Sequence, residues 1–184
     1  LGIFREQARN CVWSKIPEES VESIKELVLL ASKEAARCGI VELHSDDFKD
    51  VNSNFDKVIR AYEELIAEGK MTVRVYEQCN LPASFIIEDF LAAGYKTGYG
   101  KSDFYRLGPL KLLGDGALGA RTAHLREPYV DDPDNRGLLL FDRKELKEMM
   151  ELAHKNGMQI AIHAIGDGAV ELVAFAGGDS DGQL

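Results

Sequence analysis

The feature that most constrains the fold is the regular alternation of short strand patterns with longer helical patterns. Strands are predicted at 40–44, 72–76, 110–113 and 158–163, with amphipathic helical segments between them. This alternation implies right-handed βαβ units and a parallel α/β sheet. Four such strands are about half of a (β/α)8 TIM barrel, which takes about 250 residues. A small open α/β sheet is the competing architecture for these 184 residues.

Residues that start helices place the helical segments. Pro17 suits the first position of one helix, Asn54 can cap the next, and Pro82 opens a third. Asp142 begins a capping box, and Asp167 can cap a last helix. These positions leave a long irregular segment before the helix that begins at Asp142.

Charge and composition exclude several kinds of partner. The net charge is -9 with no basic run, which argues against a nucleic-acid partner, because phosphate binding needs clustered cations. No apolar stretch approaches the roughly 18 residues that span a bilayer, so no membrane association is expected. Cys11, Cys38 and Cys79 are odd in number, with no C-x-x-C pair. They predict reduced thiols and a cytoplasmic protein.

His163 is the first candidate functional residue. Gln159, Ala161 and His163 share one face of the last predicted strand, while Ile160 and Ile162 share the other. The position of His163 at the carboxyl end is where parallel α/β folds place their sites. A neutral imidazole there can bind zinc or a similar ion. The alternative is a buried histidine that is hydrogen-bonded to a neighbouring strand.

Lys111 is the second candidate, because it lies among Leu110, Leu112 and Leu113 within an apolar strand. Burial favours the neutral amine over the ammonium. A neutral amine can react with carbon dioxide to give a carbamate, which is an anionic ligand for a divalent metal. The alternative is a lysine whose ammonium reaches water from the end of the strand.

A glycine run after the third strand, at 114–119, matches the dinucleotide pattern G-x-G-x-x-G. That motif needs a helix directly after the glycines and an acidic residue about 20 positions on, at the end of a strand. Here Pro128 interrupts the following segment, and Asp131, Asp132 and Asp134 lie in a turn-rich loop. A nucleotide-binding α/β domain is therefore the less favoured interpretation.

The segment 114–137 is longer than most connections, which suggests a functional loop. Within it, Arg121 could hold a substrate carboxylate or carbonyl, or could instead pair with Asp131 or Asp132 on the surface. The residues predicted to contact the substrate or to orient metal ligands are Asp115, Arg121, His44 and Asp167. His44 is included because it shares one face of its strand with Glu42, and Arg74 and Tyr76 share a face of the next strand in the same way. Such polar side chains can also be structural residues that only hydrogen-bond to one another inside a barrel.

Several short runs, in this order, resemble the amidohydrolase superfamily in its N-substituted formamide deformylase-like branch, amidohydrolase family 3. The runs are G-I-F-R-E-Q-A (2–8), G-I-V-E-L-H (39–44), K-L-L-G-D-G-A-L-G-A-R-T-A (111–123), E-P-Y (127–129), D-D-P (131–133), N-R-G (135–137) and H-A-I-G-D (163–167). The resemblance covers about residues 1–173, which it implies are strands two to five of a (β/α)8 barrel. Residues 174–184 depart from it and are expected to be a flexible tail.

The resemblance also implies an activity. It implies a divalent metal centre of one or two ions, with zinc expected, and hydrolysis of a C–N (amide-type) bond in a small molecule by a metal-activated water. The lysine that matches Lys111 is the candidate carboxylated bridging ligand, and the histidine that matches His163 is a ligand. The site is then a partial one that holds only these two ligands.

The rest of the family pattern is expected outside this chain. An H-x-H pair would precede Leu1, and a further histidine and the proton-transferring aspartate would follow Leu184. No catalytic residue is therefore predicted in this fragment, and the isolated chain is expected to be inactive. The competing reading is a non-catalytic truncated barrel that forms a homodimer through its exposed sheet edges.

Overall fold

The computed structural model describes residues 10–13, 15–51 and 53–178. Within these ranges the elements follow in the order α1 (Asn10–Trp13), α2 (Val21–Arg37), β1 (Glu42–Ser45), α3 (Phe55–Ala67), β2 (Arg74–Asn80), α4 (Ser84–Ala92), β3 (Tyr105–Leu113), α5 (Arg143–Lys155), β4 (Ile160–His163) and α6 (Asp167–Gly177). Two short 3-10 helices lie at Asp47–Val51 and Leu118–Ala120.

The four strands form one parallel sheet in the order β1-β2-β3-β4. Consecutive strands lie side by side, and each is joined to the next through a helical segment, as right-handed βα units require. The sheet curls into about half of a (β/α)8 barrel. This confirms the predicted parallel α/β fold.

The two faces of the sheet differ in chemistry. One face packs against the helices and carries side chains that are almost fully buried, among them Val75, Leu107, Leu110 and Leu112. The concave face carries polar side chains such as Tyr76, whose hydroxyl donates to Oε1 of Gln159 at 3.1 Å. The hydrophobic core therefore lies between the sheet and the helices, and the polar face is left for a site.

A β-bulge explains why β3 is longer than predicted. Leu107 pairs with Glu77 and Leu110 pairs with Cys79, so two residues of β3 stand opposite one residue of β2. One of the two is Pro109, which has no N–H to donate to a neighbouring strand. The proline interrupts the alternating pattern, so the sequence predicts a strand only after it, at 110–113.

The ends and caps of three helices differ in part from their predictions. Helix α2 begins at Val21 and not at Pro17, because the side chain of Ser20 accepts from the Ser23 N–H at 3.1 Å and caps it. Asn54 directly precedes α3, but its side chain makes no capping hydrogen bond. Helix α6 continues through Gly177, beyond the predicted tail boundary at residue 174.

Two further features of the helices bear on the predictions. The Asp142 cap of α5 is confirmed, since its carboxylate accepts from the Glu145 N–H at 2.8 Å. The last turn of helix α6 lies within the segment predicted as a tail, and its Ala176 is buried at 4% exposure. The predicted tail residues 179–184 lie outside the described residues. Across the described ranges, none of the helices combines the length and apolar character that a membrane span requires.

Candidate metal site at the carboxyl ends of the strands

The register of the sheet puts the two predicted ligands on one face. Lys111 of β3 pairs with Ala161 of β4, and Leu113 pairs with His163. Paired residues of neighbouring strands project to the same side, and so do residues two apart on one strand. Lys111 and His163 therefore share the concave face, near the carboxyl ends of adjacent strands.

The imidazole of His163 is held in one orientation by the loop after β3. Its Nε2 lies 2.8 Å from the carbonyl oxygen of Gly116. A carbonyl oxygen can only accept, so Nε2 carries the proton and donates. In the neutral ring the lone pair is then on Nδ1. The side chain is 31% exposed, and a ring N–H that donates to a backbone carbonyl is the arrangement in which metal-binding histidines use their other ring nitrogen as the ligand.

Asp115 joins the loop to the end of β4. Its side chain is fully buried, and its two oxygens accept from three backbone N–H groups: Ile165 at 3.0 Å, Gly166 at 2.8 Å and His124 at 2.9 Å. Its Oδ1 is also 3.6 Å from Nε2 of His163, too far for a hydrogen bond. The carboxylate therefore fixes the backbone around His163 and leaves the imidazole to Gly116.

Lys111 is half-buried on the concave face. Within the part of the chain that the structure describes, its ammonium has no hydrogen-bond or ion-pair partner. Its neighbour on β2 in the register is Asn80, which is 6% exposed. A lysine without a partner among the described residues, on the same face as a histidine whose proton is on Nε2, suits the predicted role of a second ligand.

The glycine run after β3 does not form a dinucleotide site. The run leads into the 3-10 helix Leu118–Ala120, and the next α-helix begins only at Arg143. No helix N-terminus therefore follows the glycines, as phosphate binding in that motif requires. Instead the loop folds back on β3: the Leu140 N–H donates to the Gly114 carbonyl at 3.0 Å.

Arg121 lies in this loop in the left-handed backbone conformation, with φ of 60°. Its Nε donates to Asp131 at 3.0 Å, a second guanidinium nitrogen bonds the other carboxylate oxygen, and the guanidinium lies 5.5 Å from the ring centroid of Tyr129. The hydrogen bond from Arg121 in turn lowers the pKa of Asp131. Of the two readings that the sequence left open, the structure has the pairing with Asp131.

The other two predicted site residues lie apart from this cluster. His44 is exposed on β1, two strands from β3, with its ring centroid 5.1 Å from that of Tyr76. Asp167 begins α6 and accepts from the Arg126 N–H at 2.9 Å, which lowers its pKa. Asp167 therefore anchors the loop after β3 to α6, and His44 makes no contact with the Lys111–His163 pair.

Two buried polar side chains were not identified from the sequence. Thr122, at 8% exposure, bonds the backbone next to Gly116. Glu77 is fully buried on the helix-facing side of β2, where burial raises its pKa well above the ordinary value and the nearby Asp47 carboxylate adds to the shift. The signal for Glu77 was available, because it is in phase with the apolar Val75 and Cys79 on the strand. No comparable signal marks Thr122.

The site fits part of a metal centre. Among the described residues, no group of three or more histidine, cysteine, aspartate or glutamate side chains is arranged to hold a metal ion. His163 has the right tautomer and exposure for one ligand, and Lys111 shares its face. A complete centre needs further ligands, since zinc sites take three or four from the protein.

Comparison with known proteins agrees with this geometry. The model of the amidohydrolase family matches residues 1–179. The chain is 31% identical over 175 residues to YtcJ of Bacillus subtilis, which its name assigns to the amidohydrolases, and 31% identical over 201 residues to LONG AFTER FAR-RED 3 of Arabidopsis thaliana. The two matches cover 95% and 98% of this chain. The chain spans 32% of the length of each relative.

Two solved structures have the same arrangement of elements. They are uncharacterised metal-dependent hydrolases from Pyrococcus horikoshii and Pyrococcus furiosus, each with a TM-score of 0.71 and 28% identity. The matches cover 92% and 94% of this chain, and 32% and 35% of those proteins. The fold, the ordered motifs and these matches agree, and the chain belongs to the amidohydrolase family.

Proposed function

We propose that this chain supplies two ligands, His163 and Lys111, to the divalent metal centre of a hydrolase that cleaves an amide-type C–N bond in a small molecule. The observation that carries the proposal is the hydrogen bond from His163 Nε2 to the Gly116 carbonyl. It leaves the Nδ1 lone pair for a metal on the polar face of the sheet. The two Pyrococcus neighbours, which are metal-dependent hydrolases by title, support the same class.

Each residue has a distinct task in this proposal. A divalent ion, when bound, supplies polarisation of the scissile carbonyl and activation of water. His163 donates a neutral nitrogen ligand, and Asp115 holds the backbone just after it, at Ile165 and Gly166. Lys111 becomes an anionic ligand if its neutral amine adds carbon dioxide, which forms an N–C bond and releases one proton. Zinc, as one or two ions, is the metal we propose, because imidazole nitrogen and carboxylate-type oxygen are ligands that it accepts.

The activity belongs to the whole protein in this proposal, and the 184 residues alone are inactive. Two ligands hold a metal weakly, and among the described residues no group of three or more histidine, cysteine, aspartate or glutamate side chains is placed to hold an ion. We also propose a cytoplasmic location. It is supported by Cys38 and Cys79, which are reduced thiols in the structure, as is usual for proteins of a reducing compartment. The net charge of -9 supports the absence of a nucleic-acid partner.

Metal binding by the chain tests the ligand assignment. Titration with Zn²⁺ or Co²⁺, followed by calorimetry or by the Co²⁺ absorption bands, is expected to show binding that His163→Ala abolishes and Lys111→Ala weakens. His154→Ala is the matched control, because His154 is exposed on α5. Equal affinity in the His163 and His154 variants would remove the metal assignment.

Self-association is a second candidate function, favoured by the edges of the sheet. In the described sheet β1 and β4 each pair on one side only, and Val41 and Ile165 beside them are 65% and 43% exposed. Unpaired strand edges beside apolar side chains favour pairing with a second copy. Sedimentation velocity distinguishes the cases: a homodimer supports this candidate, and a monomer at all concentrations rejects it.

A further inference from the structure

The peptide group between Gly116 and Ala117 lies between two side chains. Its N–H, which belongs to Ala117, donates to Oγ1 of Thr122 at 3.0 Å. Its carbonyl, which belongs to Gly116, accepts from Nε2 of His163 at 2.8 Å. A trans peptide is a rigid plane with its N–H and C=O on opposite edges. A hydroxyl that holds one edge therefore fixes the direction of the other.

Thr122 is itself held firmly enough to act in this way. The residue is buried. Its carbonyl accepts hydrogen bonds from the Gly116 and Leu138 N–H groups at 3.1 Å each, and its own N–H donates to the Ala117 carbonyl at 3.1 Å. The loop is closed around it by backbone hydrogen bonds that do not involve its hydroxyl. Removing the hydroxyl alone should therefore loosen one peptide and not the whole loop.

We propose that Thr122 is a positioning residue for His163. Its hydroxyl orients the 116–117 peptide, the Gly116 carbonyl then holds the proton on Nε2, and the Nδ1 lone pair is directed to the concave face. The inference rests on the proposed function in that His163 is taken as a metal ligand. The two hydrogen bonds share one peptide group, so the bond from the Ala117 N–H to Thr122 also polarises the Gly116 carbonyl and strengthens its bond to His163. A stronger bond to Nε2–H makes Nδ1 a better ligand.

Glycine at 116 is part of the same arrangement. A Cβ added there would overlap Oγ1 and Cβ of Thr122. The hydroxyl can approach the Ala117 N–H only because this space is empty. Gly119, in the same loop, has no atom within 4 Å of an added Cβ. The requirement for glycine at 116 is therefore local to the contact with Thr122.

The test uses the metal-free chain and does not depend on activity. With ¹⁵N-labelled histidine and ¹³C-labelled carbonyls, the native chain is expected to show a slowly exchanging Nε2–H resonance of His163, coupled across the hydrogen bond to the Gly116 carbonyl carbon. His163→Asn assigns the resonance by removing it. If the native chain lacks this resonance or the coupling, the inference is overturned, whatever the variants do.

The variants then isolate the hydroxyl. Thr122→Val keeps the shape but removes the acceptor, and the resonance is expected to disappear into fast exchange with water. Thr122→Ser keeps the hydroxyl and is expected to restore it. Thr72→Val is the matched control, because the Thr72 hydroxyl bonds the Ser32 carbonyl far from the site. Persistence of the resonance in Thr122→Val, at the intensity seen in the control, would overturn the proposal.

Metal titration separates this inference from the function on which it rests. Thr122→Val is expected to weaken Co²⁺ binding by about 10- to 100-fold, as loss of a group that orients a ligand does, and Thr122→Ser to recover most of it. If His163→Ala leaves Co²⁺ binding unchanged, the proposed function fails. The imidazole resonance still decides whether Thr122 holds the ring. If His163→Ala weakens Co²⁺ binding and Thr122→Val does not, Thr122 is not a positioning residue.

Discussion

Replacing Asp115 by asparagine should destabilise the fold strongly, although the two side chains have nearly the same shape. The carboxylate is fully buried, with one oxygen accepting from the Gly166 and His124 N–H groups and the other from Ile165. An amide has one acceptor oxygen. Its best orientation keeps Gly166 and His124 bonded and turns the NH2 group toward the Ile165 N–H, so that two donors face each other.

The magnitude follows from this count of hydrogen bonds. One backbone N–H left without an acceptor costs about 1–3 kcal/mol, and the two bonds that remain lose the extra strength of a charged acceptor, about 1 kcal/mol each. The sum is about 4 kcal/mol, a large part of the 5–15 kcal/mol that holds a typical domain folded. With a urea m-value of about 2 kcal/mol per molar, the unfolding midpoint should fall by about 2 M.

Urea unfolding followed by circular dichroism measures this change, with Asp142→Asn as the matched control. Asp142 also accepts from a backbone N–H, that of Glu145 at 2.8 Å, but at an exposed helix N-cap. Asparagine caps helices about as well as aspartate, so the control should lie within about 0.5 kcal/mol of the native chain. If Asp115→Asn unfolds at the same urea concentration as Asp142→Asn, the reasoning about Asp115 is refuted.

Three further predictions concern other parts of the molecule. Gly116→Ala should lower the free energy of unfolding by about 2 kcal/mol, because its Cβ would overlap Thr122. Gly119→Ala should be neutral or up to about 1 kcal/mol more stable. Equal unfolding free energies of the two variants in chemical denaturation would contradict this. Hydrogen bonds from Lys25 and Lys70 lower the pKa of Glu68 to about 2, so Glu68 contributes stability above its ordinary pKa of 4.5 that is lost as the pH falls toward 2. Glu68→Gln should therefore lower the melting temperature at pH 7 and flatten its fall in acid, and an unchanged acid profile would count against the pairing. Burial raises the pKa of Glu77, so the free energy of unfolding of the native chain should fall by up to about 1.4 kcal/mol per pH unit above 4.5. In urea titrations, the difference in unfolding free energy between Glu77→Gln and the native chain should therefore grow with pH. A constant difference would mean that Glu77 ionises normally in the fold.

The strands and their order were predictable because periodicity survives in the sequence. The alternation of Ile160, Ala161, Ile162 and His163 places the histidine on the polar face, and the register confirms that face. Period two is a local property, so it can be read without knowing which strand is the neighbour. The start of β3 was not predictable in the same way, because Pro109 lies in a bulge of β3 that is defined only by the pairing of β3 with β2.

The candidate site was predictable in its residue types but not in its orientation. Lys111 and His163 were expected on one face, and their register agrees. Which nitrogen of His163 carries the proton depends on the Gly116 carbonyl, 47 positions away in the chain. Arg121 had several possible partners in the sequence, and only the folded loop selects Asp131. Contacts of this kind depend on loop closure, which no local pattern encodes.

The glycine run after β3 shows why a motif needs its structural context. In a dinucleotide site the second glycine lets a pyrophosphate approach and the third lets a helix pack on the strand. Here an added Cβ at Gly114 would lie 2.9 Å from the His163 carbonyl oxygen, one at Gly116 would overlap Thr122, and one at Gly119 would meet nothing within 4 Å. The first two glycines are therefore required by contacts of the protein with itself, Gly114 against the backbone of His163 and Gly116 against the side chain of Thr122. The same letters that suggest a phosphate cradle instead support His163, the proposed metal ligand. Alanine at each of the three positions separates the two explanations, because a phosphate cradle would not tolerate alanine at Gly119 either.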